Sequence, residues 1–156
     1  MNGWLLLLPI LLWNQVFAKK LPAAFSPEIF DRGIPISLTN AENFFRLVVF
    51  ILPLFMPVSL TTQTQKLGMG LYGAGTVIYF LSWMALMVFP ESRWSRSAAG
   101  FLAPAYTPLI WLVGIGLVGS SLYFSIPYWP GIYLICAVLF TCVHVSHVSI
   151  VYLKSI

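Results

Sequence analysis

Residues 131–153 read GIYLICAVLFTCVHVSHVSIVYL, an uncharged run closed by Lys154. At 1.5 Å per residue such a helix is about 34 Å long, enough to cross a hydrocarbon layer of about 30 Å. No soluble fold of 156 residues can hide many such stretches. Yet 60% of this chain is hydrophobic and only 8% charged, against roughly 25% charged in ordinary soluble domains. Lipid is the solvent that fits.

Working outward from that run, four more apolar segments appear, at about 4–18, 41–60, 67–89 and 107–126. The expected fold is therefore all-α: one polytopic membrane domain, 1–156, built as a bundle of five transmembrane helices. The first segment is short, and Val16-Phe17-Ala18 resembles a signal-peptide cleavage site. Charge argues for retention, because no basic residue precedes this run and Lys19-Lys20 follow it. With the N-terminus outside and five crossings, Lys19, Lys20, Arg32, Arg46, Arg93, Arg96 and Lys154 lie on the cytoplasmic side and only Lys66 lies outside. Removing the first segment inverts that distribution, against the positive-inside rule. The C-terminus is expected in the cytoplasm and the protein in a cell membrane of the bacterial inner-membrane type.

Local signals refine the segments. Thr39-Asn40-Ala41-Glu42 fits a capping box and sets the expected start of the second helix, with Glu42 and Arg46 paired one turn apart. Pro53 and Pro57 lie in the same segment, so a kink buried in the bundle is expected. Small residues, among them Gly70, Gly73, Gly116 and Gly119, point to close packing of the third helix on the fourth. Gly68-Met69-Gly70-Leu71-Tyr72-Gly73 matches GxGxxG, but it lies in a membrane segment with no strand before it and is no dinucleotide fingerprint. Trp4, Tyr72, Trp94, Tyr106, Tyr128, Trp129 and Tyr152 suit the headgroup layers. The loop over 19–40, rich in Pro, Phe and Ile, is expected to lie against the membrane.

Candidate chemistry is sparse. His144 and His147 stand three apart, on one face of the last helix. An intramembrane imidazole ligates a metal or haem, relays protons, or bonds neighbouring helices. The four acids, Glu28, Asp31, Glu42 and Glu91, all fall on the cytoplasmic side, where with Arg32, Arg46, Arg93 and the two histidines they can form one polar patch. Such a patch suits a divalent cation, a phospholipid headgroup or a partner protein. Cys136 and Cys142 point about 120° apart on one helix and cannot pair within it. No GxSxG, Walker, HExxH or EF-hand pattern occurs, and no acid is expected deep in a segment, which disfavours an ion-coupled pump. The net charge of +4 has no basic cluster of the kind that tracks nucleic acid.

Three functions are consistent with these residues. The leading expectation is a non-catalytic accessory or binding subunit of a membrane complex, with the bilayer, a second copy or a larger assembly as partner. Another is a haem, tetrapyrrole or metal-binding protein using His144 and His147. The last is a small enzyme or transporter for lipids or apolar molecules at the cytoplasmic leaflet.

Overall fold

The computed structural model describes residues 2–155. It is all-α, with no strand among the described residues beyond an isolated bridge between Asn2 and Pro57. In chain order the α-helices are α1 (Leu8–Phe17), α2 (Pro27–Phe30), α3 (Ile36–Ile51), α4 (Gln63–Val88), α5 (Arg93–Arg96), α6 (Ala98–Phe101), α7 (Ala103–Tyr106), α8 (Pro108–Val118) and α9 (Pro130–Ser155). Among the described residues, three helical segments are long and apolar enough to cross a membrane: Ile36–Phe55, Gln63–Val88 and Pro130–Ser155. Most of each remains uncovered by protein, and Phe44, Leu47, Leu67, Leu81 and Ile135 stand more than half exposed. Such surface fits an integral membrane location.

Contacts define two ends. At one, Gly3 N–H donates to Met56 O (2.8 Å), Tyr123 N–H to Phe55 O (2.9 Å), and Gln65 Nε2 to Ser120 Oγ (3.0 Å). At the other, Lys154 Nζ donates to the carbonyls of Arg32 (2.8 Å) and Gly33 (2.9 Å), and Tyr152 to Arg96 O (3.2 Å). Between them α1 runs beside α4 in the same direction, tied by Tyr72 OH to Leu6 O and Tyr79 OH to Asn14 Oδ1, both 2.7 Å. α9 runs opposite to α3, and α4 opposite to α8. The latter pair forms the most extensive interface of the bundle.

Three local expectations change. α3 starts at Ile36 rather than near Ala41, because Pro35 holds the backbone at the N-cap (φ −57°) and Thr39 N–H already donates to Pro35 O. The capping box instead opens α4, where Gln65 N–H donates to Thr62 Oγ1 (3.2 Å) and Thr62 N–H to Gln65 Oε1 (3.1 Å). Pro53 does not kink a continuing helix; α3 ends at Ile51, a 3-10 turn follows over Leu52–Phe55, and the chain is extended at Met56. Thr62→Ala should therefore cost about 1 kcal/mol, read as a lowered midpoint of thermal unfolding in detergent.

The small residues also sort differently. A Cβ on Gly70 or Gly73 would meet nothing within 4 Å, so neither is a packing residue. The close approach of α4 to α8 falls on Gly68, Gly75 and Gly114, whereas Gly116 faces Leu134 and Tyr133 of α9 and Gly119 faces Met56. α8 ends at Val118, short of the expected 126, as the chain turns at Gly119-Ser120. The loop after α1 leaves Ile29 exposed but packs part of its apolar surface on the protein. Its Phe25 and Phe30 turn inward and stack on Phe101 and His147.

Candidate functional site: a buried carboxylate between two imidazoles

Starting α3 at Pro35 carries Glu42 roughly 9 Å, and Arg46 roughly 15 Å, along the helix from its first residue. Both fall within a segment capable of crossing a membrane, contrary to the expectation that no acid lies deep in one. Glu42 is 2% exposed. An isolated carboxylate in such a place is costly, so what surrounds it decides the site.

α9 supplies the answer from the facing side. His144 Nδ1 lies 3.0 Å from Glu42 Oε1, and His147 Nδ1 lies 2.6 Å from Glu42 Oε2. Arg46, one turn along α3, donates through Nη2 to Oε1 as well, and through Nη1 to Asn43 Oδ1 (3.3 Å). His147 Nε2 faces the carbonyl of Phe30 at 3.1 Å. Phe30 stacks on the His147 ring (centroids 4.5 Å apart) and Phe140 on that of His144 (5.5 Å).

Hydrogen-bond chemistry places the protons. A carbonyl only accepts, so His147 Nε2 carries a hydrogen. One further proton then lies between His147 Nδ1 and Glu42 Oε2, whichever heavy atom holds it. Oε1 accepts from Arg46 and from His144 Nδ1, leaving Nε2 of His144 without a partner among the described residues. The two imidazoles are thus unequal. Both nitrogens of His147 are engaged, with Glu42 Oε2 and with the Phe30 carbonyl, whereas only Nδ1 of His144 is. Among the described residues no group of three or more His, Cys, Asp or Glu side chains is arranged to hold a metal ion.

The expected single polar patch separates. Glu42, Arg46, His144 and His147 meet; Asp31 stands at their edge, 65% exposed, with Oδ1 3.6 Å from His147 Nε2. Glu91 lies elsewhere, paired with Arg96. Glu28, Arg32 and Arg93 are exposed, and the backbone carbonyl of Arg32 accepts from Lys154.

Beside the cluster opens a groove of about 840 Å³, running along α1 between α3, α4 and α9. Ile10, Phe50, Trp83, Trp111 and Phe140 give it an apolar lining, while Asn14, Asn43, Arg46 and His144 supply its polar groups. Of the headgroup-layer residues read in the sequence, Trp4 lines this groove; Phe50, Trp83, Trp111 and Phe140 were not among them. The available signal was position: Trp83 and Trp111 sit inside apolar segments. Their indole N–H groups are buried without a partner among the described residues.

The chain matches no protein-family model, no curated protein and no solved structure.

Proposed function

We propose that this is a five-crossing membrane protein, N-terminus outside and C-terminus cytoplasmic, that binds an elongated amphiphile in the α1 groove. Alternation of α1, α3, α4, α8 and α9 between two ends supports five crossings. The end bearing Lys19, Lys20, Arg32, Arg93, Arg96 and Lys154 takes the cytoplasmic side under the positive-inside rule. The observation that carries the binding reading is the groove itself: an apolar, aromatic channel of about 840 Å³ with Arg46 and His144 on its wall. A mostly apolar cavity with few convergent polar groups is the usual form of a small-molecule site. Its occupant has an apolar body along α1 and a polar head at Arg46. Binding, alone or within a larger membrane assembly, is the function; no nucleophile or metal centre is needed for it.

Dibrominated stearic acid tests this, because bromine quenches the fluorescence of nearby tryptophans and Trp83 and Trp111 line the groove. The purified protein should show saturable quenching. Arg46→Ala should weaken binding roughly tenfold or more, the usual worth of a hydrogen bond to a charged group. Quenching that rises without saturation and ignores Arg46 would mean ordinary partitioning into detergent, and would sink the reading. A tetrapyrrole spectrum from protein purified out of its native membrane would replace it.

A further inference from the structure

Along one line lie Asp31 Oδ1, His147 Nε2, His147 Nδ1, Glu42 Oε2, Glu42 Oε1 and His144 Nδ1, with separations of 3.6 Å, 2.6 Å and 3.0 Å between successive side chains. One end, Asp31, is 65% exposed at the basic end of the bundle. The other, His144, lines the groove. The two residues between them are 2% exposed each. Buried carboxylates and imidazoles in contact within a membrane segment are the usual material of proton relays. We propose that Asp31, His147, Glu42 and His144 form a proton path joining cytoplasmic water to the groove, and that the groove's occupant is a weakly acidic amphiphile that exchanges one proton through it. The proposal deepens the groove-binding reading and rests on it.

The step balances without any co-reactant. An acidic O–H beside the polar groups of the groove gives its proton to the lone pair of His144 Nε2. His144 releases its Nδ1 hydrogen to Glu42 Oε1. The proton held between Glu42 Oε2 and His147 moves fully onto His147 Nδ1, and the Nε2 hydrogen of His147 leaves the Phe30 carbonyl and passes to solvent water beside Asp31, since 3.6 Å is too long for direct transfer. One proton has left the amphiphile and one has entered the water; every bond broken is an O–H or N–H bond, and each is replaced by another. The reverse sequence protonates the bound anion. Arg46, whose guanidinium borders the groove, stabilises the anion while it is present. The charged and titratable groups in contact with the line are Glu42 and Arg46 from α3, His144 and His147 from α9, and Asp31 from the turn after α2.

Glu42→Gln separates the path from the fold. A glutamine there still accepts from Arg46 and His144 through its oxygen and donates to His147 Nδ1 through its nitrogen, but it cannot pass a proton. The probe is an alkylated hydroxycoumarin, a weakly acidic amphiphile whose fluorescence reports its own protonation. With the protein in lipid nanodiscs and the probe at saturation, a stopped-flow pH jump gives its protonation rate. Glu42→Gln should slow that rate about tenfold or more, the usual scale of a positioned proton donor or acceptor. Asp31→Asn, at an exposed position that poses no folding risk, should slow it in the same direction. Saturable binding with unchanged rates in both variants overturns the path and leaves groove binding standing. A probe that does not bind saturably overturns both.

Discussion

Glu42→Ala should lose about 3 to 5 kcal/mol of stability, the cost of stranding buried charge when one partner of an ion pair is removed. The substitution strands more than one group. Arg46 loses its carboxylate, His144 Nδ1 loses its acceptor, and the proton between His147 and Glu42 loses one of its two sites. Because α3 and α9 are joined here by these bonds, the loss appears as early separation of the two helices. Glu42→Gln should cost far less, about 1 kcal/mol, since the amide replaces each hydrogen bond in kind. Reversible unfolding in mixed detergent, followed by circular dichroism, measures both. Equal losses for Ala and Gln would show that the carboxylate's hydrogen bonds hold nothing together.

Gly75→Ala and Gly114→Ala should each cost about 1 to 3 kcal/mol by overpacking, whereas Gly70→Ala and Gly73→Ala should be neutral or stabilising. A Cβ on Gly75 would lie 2.5 Å from Trp111 N, and one on Gly114 would lie 2.4 Å from Tyr72 N. These obstacles are backbone atoms, which cannot swing aside as a side chain does, so α4 and α8 must move apart. Gly70 and Gly73 have open space around the missing Cβ. Alanine gains them helix propensity, about 1 kcal/mol at most in a helix interior. The four substitutions share one chemistry and differ only in what they meet. Four equal shifts in the unfolding midpoint would contradict the α4–α8 interface.

The same glycines show where sequence reasoning stops. Gly68 and Gly75 are seven residues apart, nearly two full turns, and so share a face within about 20°; Gly70 and Gly73 lie well off it. That the helix carries a small-residue face is written in the spacing. Which face meets α8 depends on all the other contacts and is not. The site shows a similar division. The shared face of His144 and His147 follows from their three-residue spacing, and the grouping of Glu42, Arg46 and Asp31 near the start of the second long helix is also legible. Depth is not, because Thr39-Asn40-Ala41-Glu42 competes with Pro35 for the start of α3 and the proline prevails. That shift of one to two turns moves Glu42 from a capping role at a surface into the interior. The groove is the least legible feature. It lies between α1 and residues of α3, α4, α8 and α9, and no single stretch of sequence encodes the space left between helices.

Site-directed labelling of intact cells measures the central claim, a chain that passes through the bilayer five times with its basic end inside. In a background carrying Cys136→Ser and Cys142→Ser, an impermeant maleimide should react from outside with Lys66→Cys, Ser125→Cys and a cysteine tag placed ahead of Met1. It should reach Lys20→Cys, Arg93→Cys and Lys154→Cys only after the membrane is opened. If Lys66→Cys and Arg93→Cys prove accessible from the same compartment, α4 does not cross, and both the groove's orientation and the route from Asp31 to His144 are wrong.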